Sequence, residues 1–365
     1  MTLTKATNRS STLILPKSFL FLGIFSGLFF LTSCTSLDTL VVNVEKPAHI
    51  TLPNSIENIV IVDNTVPQPE DVGHFEYRFG QEAGTPVKIE VNDDVNYILA
   101  EALFEDISDK EYFKDVIFYE HPLREDANYE DILQLDSTLI KEICIANNAD
   151  AIISLDRFLV STASHEEDFE FGTTMRFLDL KMDIRFQVYS KEGQAISPPL
   201  YINDSIYWSA TYNQNTPLSD TIPSREDAMK EAARYTAEKI ADALAPYWSN
   251  ELRWYFGDIK AANKKMAAND WSGALALWQS AYDSETKNIK KKARLASNIA
   301  LAYELKDELK NALRWITTSC QLFEETQSTG VDEENLLRAT SYKEDLLERY
   351  NDFKLLDMRD KASRE

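Results

Sequence analysis

Residues 178–188 constrain the fold of this chain more than any other stretch. Leu178, Leu180, Met182, Ile184, Phe186 and Val188 alternate with Asp179, Lys181, Asp183, Arg185 and Gln187. Successive side chains of a strand point to opposite faces. The segment therefore has one dry and one wet face, the pattern of an antiparallel sheet covered on one side. Lys191-Glu192-Gly193-Gln194 supplies a turn, and Tyr201 to Tyr212 reads as the returning strand. Arg225 to Tyr247 then reads as one long helix, with Met229, Ala232, Ala233, Thr236, Ile240, Leu244 and Tyr247 at helical spacing. Its alanine-rich stripe suits close packing on the dry face of the sheet.

Upstream, strands and helices interleave. Leu40 to Val44 and Ile50 to Leu52 are short extended pieces around Pro47, and Ile56 to Val62 is a β-branched run that reads as a buried strand. Asn64 to Thr85 lacks periodicity and reads as a loop. Asn92-Asp93-Asp94 offers an N-cap for a helix carrying Val95, Ile98, Leu99, Ala102, Leu103 and Ile107 on one face. Val116 to Tyr119 is the next strand, Asp136-Ser137 caps a second helix ending at Asn147-Asn148, and Ala151 to Val160 returns as a strand. This order, with the phrase Asn148-Ala149-Asp150-Ala151-Ile152-Ile153, resembles the α/β domain of periplasmic lipoproteins of the curli-secretion-channel and penicillin-binding-protein-activator type. The resemblance implies a fold and no activity.

Beyond Trp248 the pattern is helical to the end and repeats itself. Asp270-Trp271-Ser272-Gly273-Ala274-Leu275, followed by Trp278 and Ala281, matches Glu308-Leu309-Lys310-Asn311-Ala312-Leu313, followed by Ile316 and Ser319. Ala262 and Ala300 stand twelve residues before the key alanines, and Tyr303 adds an aromatic knob. The arrangement resembles the tetratricopeptide repeat, in which small residues let paired helices approach and large ones plug between neighbours. Ala274 and Ala312 are 38 residues apart, which an extended turn at Lys287 to Lys292 accommodates, and the expected prolines are absent. Glu333 to Tyr350 reads as a capping helix, with a frayed tail from Met358. The expected fold class is α+β: a mixed sheet with helices packed on one or both faces, then an all-α tetratricopeptide-like helical array.

The N-terminus carries a different signal. Lys5, Arg9 and Lys17 precede an apolar run from Phe19 to Leu31 that is too short for a permanent membrane span. Leu31-Thr32-Ser33-Cys34 then resembles the lipobox of a bacterial lipoprotein signal, which implies removal of residues 1–33 and acylation of Cys34. The expected organisation is signal peptide 1–33, lipidated linker 34–53, α/β domain 54–248, helical repeats with their cap 249–350, and tail 351–365. Together with the phrase from Val44 to Pro53 and Ile59-Val60-Ile61-Val62, this architecture resembles a family of uncharacterised lipoproteins of Bacteroidota. That likeness implies an architecture and an envelope location, and no site; Thr35, where an Asp would resemble an inner-membrane retention signal, favours the outer membrane, facing the periplasm. An acidic cluster after the cysteine would favour surface display, and only Asp38 is present.

Charge and composition narrow the partners. Removing residues 1–33 takes the formal charge from −22 to −25, which repels nucleic acid and anionic lipid headgroups. Membrane attachment must then come from acyl chains on Cys34. Four scattered histidines and the isolated Cys144 and Cys320 give no metal-ligand spacing, so no cofactor is expected. Cys144 falls on an apolar helical stripe as a small buried hydrophobe. His165-Glu166-Glu167-Asp168-Phe169-Glu170 reads as a solvated acidic loop, and Asp156-Arg157 as an in-sheet salt bridge or a cleft lining. No nucleophile elbow, phosphate loop or zincin helix occurs. The expected role is protein binding or scaffolding through the repeat helices, without catalysis. The alternative is a glycan-binding or glycan-processing lipoprotein using Tyr207, Trp208 and Tyr212, since exposed aromatics stack on sugar rings. Tyr247, Trp248, Trp254, Tyr255 and Phe256 are read as a seam joining the two domains.

Overall fold

The structure, a computed structural model, describes residues 36–77, 86–91, 94–169, 173–212, 222–326 and 330–362. In chain order its elements are β1 (Leu37–Lys46), β2 (Asn58–Asp63), β3 (His74–Glu76), β4 (Val87–Lys88), α1 (Val95–Asp109), β5 (Asp115–Tyr119), α2 (Ser137–Asn147) and β6 (Ala151–Phe169). There follow β7 (Thr173–Ser190), β8 (Leu200–Tyr212), α3 (Arg225–Leu244), β9 (Tyr247–Phe256), α4 (Lys260–Ala267), α5 (Trp271–Ser284), α6 (Ile289–Glu304), α7 (Leu309–Glu324) and α8 (Gly330–Ala362). The class is α+β, a mixed sheet with its helices followed by a run of five helices.

β6 organises the sheet. Its first residues pair in parallel with β2, which pairs in parallel with β5, while Thr162–Ser164 pair in parallel with β3 along the same edge. Its other edge runs antiparallel to β7, and β7 to β8. Alternation then sorts the core. Ile59 and Ile61 of β2 and all six dry residues of β7 face the packed pair α1 and α3, whereas Val60 and Val62 face Ile140, Ile143 and Cys144 of α2 on the opposite side. Asp136 caps α2 by accepting from Thr138 N, and Asn148 closes it in the left-handed region, at φ 51°. Asp94 precedes α1, but its side chain makes no capping bond. Gly193 sits at φ +82° in the β7–β8 turn, packed against Ser137, where a Cβ would lie 2.8 Å from the Ser137 Cβ.

Several expectations are corrected. The segment Asn64–Thr85 holds β3, which forms because its residues find the free edge of β6. The run from His165 to Asp168 is the end of β6, paired with β7, rather than a loop. The wet face of β7 is covered where Arg185 and Gln187 lie, each 2% exposed. Most consequentially, α3 stops at Leu244. Pro246 removes a backbone donor and forces Ala245 to extended geometry, φ −137° and ψ 154°, so Tyr247 opens strand β9 instead of a last helical turn. Residues 249–256 are therefore strand and not repeat helix. β9 pairs antiparallel with β1, from Leu37↔Phe256 to Lys46↔Tyr247. Val42 and Val44 from one face of this ribbon, and Phe256 from its end, join the core of the helical array.

In that array α4–α5 and α6–α7 are two hairpins with the same turn, set at the offset that separates Ala274 from Ala312. Asn269 and Asp307 hold φ 56° and 57°. Asp270 N donates to Lys265 O as Glu308 N donates to Tyr303 O, both at 2.9 Å. The lysines at 290–292 lie in the first turn of α6, whose cap is Asn288, rather than in an extended turn. α8 runs on through Ala362, so residues 358–362 are part of this helix. The end of α6 carries a buried ion cluster. Fully buried Glu304 accepts from Arg253 Nε at 3.2 Å, from Arg349 Nη1 at 2.9 Å and from the Tyr342 hydroxyl at 2.6 Å, tying β9 and α8 to α6.

Candidate functional site

A bulge in β6 builds the site. The register with β7 slips between Leu155 and Arg157, so Asp156 and Arg157 both fall on the sheet face opposite Leu155 and Phe158, which lie in the core. Asp156, fully buried, ion-pairs with Arg185 across the ladder, and its carboxylate also accepts from Ser154 Oγ at 2.6 Å and Asn64 Nδ2 at 3.1 Å. Burial pushes its pKa above the ordinary 3.8, against these donors and the charges of Arg185 and Arg124. Arg157 pairs with Asp183 at 2.8 Å. The dipeptide thus makes two in-sheet ion pairs to β7.

Next to the bulge the edge of β6 has no strand partner between β2 and β3. The Gln68 side chain fills the gap, its Nε2 donating to Val160 O at 2.9 Å and its Oε1 accepting from Val160 N at 3.3 Å. Above it opens a cleft of about 600 Å³ lined by Gln68, Tyr129, Glu130, Ser161, Lys181 and Asn203, among others. The cleft lies beyond the carboxyl ends of parallel β2 and β5, where open α/β sheets bind ligands. Its floor continues along the uncovered stretch of the wet face of β7 and β8, where Asp183 stands opposite Asn203 and Asp179 opposite Tyr207. Tyr201 and Tyr207 are 53% and 70% exposed, so both present their rings to solvent on this face.

On the other face, buried His74 places Nδ1 2.9 Å from Thr162 Oγ1, and Arg225 donates to Phe75 O and Ser164 Oγ, each at 2.7 Å. Burial, then the Arg225 charge, holds the His74 pKa below the usual 6.5. Above that value the ring is neutral folded or unfolded. As pH falls through 6.5 toward the lowered native pKa, the unfolded chain binds the proton first and stability is lost. Urea midpoints measured from pH 7 to pH 5 are expected to fall in the native chain and to fall less steeply in His74→Gln.

The residues singled out in the sequence scatter. Ala262, Ala274, Trp278, Ala300, Ala312 and Ile316 are fully buried, with Ala281 and Tyr303 packed beside them in the helical core. Tyr207 and Trp208 do not converge, because neighbours in a strand face opposite ways. Tyr207 is exposed, whereas Trp208 packs against the α1–α3 core. Tyr212 pairs with Thr174 at the end of β8. Leu31, Thr32, Ser33 and Cys34 lie outside the described residues. Cys144 and Cys320 are buried free thiols in separate cores, and burial raises the pKa of Cys144 to about 11. Among the described residues no group of three metal-ligating side chains converges. The junction aromatics divide, with Tyr255 and Phe256 turned into the helical core and Trp248 and Trp254 exposed. The Asn64–Asp156–Arg185 network escapes a reading of the sequence because Asp156 is 92 residues from Asn64 and 29 residues from Arg185. Its one local sign is that Asp156-Arg157 interrupts the largely apolar run from Ala151 to Val160.

An α+β chain with a bulged mixed sheet, an open sheet face and an appended helical array is the class these features define. The chain belongs to the family described as Domain of unknown function (DUF8603), which matches residues 56–256, more than half its length. A second family, Domain of unknown function (DUF6340), matches residues 260–348. The first match ends with β9 and the second begins with α4. No curated protein matches the chain. Among solved structures it is similar to a minor lipoprotein from Acinetobacter baumannii, at 9% identity and a TM-score of 0.23, over 54% of this chain and 98% of that one.

Proposed function

We propose that this chain is a lipid-anchored cell-envelope protein, tethered to the outer membrane by acyl chains on Cys34, facing the periplasm, and serving as a protein-binding scaffold rather than a catalyst. The lipobox Leu31–Cys34 supports the anchor. The observation that carries protein binding is the edge of β8. This strand of 13 residues pairs only with β7 among the described residues. Natural edges are blunted by lysines, prolines or bulges; β8 has none of these, and its one carboxylate, Asp204, is tied back to Tyr235 and Lys239. An extended segment of a partner would add to this edge through main-chain hydrogen bonds. The tetratricopeptide-like helix pairs offer a second contact surface.

A photoreactive group placed at Tyr207 in cells is expected to crosslink to a discrete envelope protein. The same group at Ile145 of α2, 81% exposed, is expected to give none. Equal or absent crosslinking at the two positions would reject the edge as a contact surface. Exposed Tyr201 and Tyr207 beside the cleft support the second reading, glycan binding or processing. Retention on a glycan array that Tyr207→Ala abolishes, with no crosslinked protein, would favour it.

A further inference from the structure

The two-stranded ribbon of β1 and β9 has a second face, which meets the helical array at its Leu37–Phe256 end, where Leu252 and Trp254 line a cavity of about 120 Å³ with Ala339 and Tyr342 of α8, and which is otherwise open to solvent. It carries Thr39, Val41, Asn43 and Glu45, in register with Trp254, Leu252, Asn250 and Trp248. Trp248 is 71% exposed, Val41 59%, Leu252 50% and Trp254 45%. Two indoles and two branched aliphatic side chains thus stand in water on a strand pair whose opposite face is buried. Glu45 is the only charged residue among the eight, in a chain of formal charge −22. These eight positions therefore repel an anionic surface little.

The position of the ribbon in the chain says what covers it. β1 starts at Leu37, three residues after Cys34, and three residues span at most about 10 Å. The antiparallel register sets Trp254 beside Thr39, at that same end of the ribbon. An acyl group on Cys34 would hold this end against the lipid headgroups, at the depth where tryptophan, with its apolar body and its N–H donor, is most at home. Ring and aliphatic burial there would add apolar contact to the anchor.

We propose that the outer face of the β1–β9 ribbon, through Trp248, Leu252, Trp254 and Val41, lies on the phospholipid surface and seats the lipid-anchored body on the membrane. This rests on the anchor reading given above. The contact is apolar, so it persists at high salt on zwitterionic vesicles. On anionic vesicles salt strengthens it, by screening the repulsion of the acidic body.

The test uses the full chain, made with its own leader, reconstituted into phosphatidylcholine vesicles containing a bromine-labelled phosphatidylcholine that quenches indoles at the interface. Of the six tryptophans, the ribbon pair is expected to supply the quenched component. Quenching is expected in the native chain and lost in a Trp248→Ser, Trp254→Ser double variant that keeps its thermal transition and still floats with vesicles. Acylated protein that floats but shows no quenching, because a second copy or another protein covers the ribbon, would overturn the proposal and leave the anchor standing. Quenching unchanged in the double variant would also overturn it. Protein whose mass shows no acyl chains, and which does not float, would defeat the anchor reading and this inference together.

Discussion

Glu304→Ala is expected to lower folding stability by about 3–5 kcal/mol, the usual cost of removing one partner from a buried ion pair. Glu304 is fully buried, and the groups it satisfies come from two elements, β9 and α8. Arg253 on β9 is 3% exposed, Tyr342 and Arg349 lie on α8, and Glu304 itself ends α6. Without the carboxylate, Arg253 keeps as ion partners Asp345 at 3.3 Å and Glu251 at 3.6 Å, both more exposed, and a hydrogen bond to Leu252 O at 3.3 Å. Arg349 retains Asp307, which is 79% exposed and offers little. Burial, then the carboxylate, holds the Tyr342 phenol well above its ordinary pKa of 10, so it stays a donor whose acceptor would be gone. Glu304 also occupies the place in the second hairpin that Met266 takes in the first. The first hairpin buries a thioether there, and the second a charge. Glu304→Met would therefore restore the apolar volume and still strand Arg253, so it is expected to remain destabilised. Urea unfolding measures the loss, and hydrogen exchange locates it: α8 and β9 amides should lose protection before those of α1 and α3. A shift below about 1 kcal/mol would mean the cluster holds nothing together.

The elements most legible in the sequence are those whose signal is local. The alternation from Leu178 to Val188 places β7 and its buried face, because a period of two needs no knowledge of the partner strand. Asp136 and Asn148 mark both ends of α2 by cap chemistry. The offset between the hairpins is readable because small and large residues recur at it. What escapes is non-local or hinges on one residue. Ala245-Pro246 ends α3, yet the helical spacing of Tyr247 masks it, and the alternating Tyr247–Phe256 is absorbed into a helical reading. Its partner β1 lies at the far end of the α/β segment, too distant for any pattern in one stretch to suggest. The same distance hides the exposed indole face, since Trp248 and Trp254 look like seam residues until pairing fixes which way they point. The bulge that sets Asp156 against Arg185 depends on ladder register, a property of two strands together. For the hairpin aromatics the deciding information is in the sequence itself, since adjacent Tyr207 and Trp208 cannot share a strand face.

Cys34→Ser is expected to have the largest consequence for where the protein resides. Two or more acyl chains hold a protein on a membrane almost irreversibly, whereas one chain or a bare acidic surface does not. No helix among the described residues is long and apolar enough to cross a bilayer. The ribbon face adds contact area but no covalent hold, and its four apolar residues cannot retain a body of this charge alone.

Envelope fractionation of cells carrying the native and Cys34→Ser chains, with the mass of each N-terminal peptide, is the most direct measurement. The account requires a native peptide that begins at an acylated Cys34 and sediments with membranes, and a serine variant that is neither acylated nor retained there. A serine variant that stays membrane-bound and is cut at the same place would contradict it.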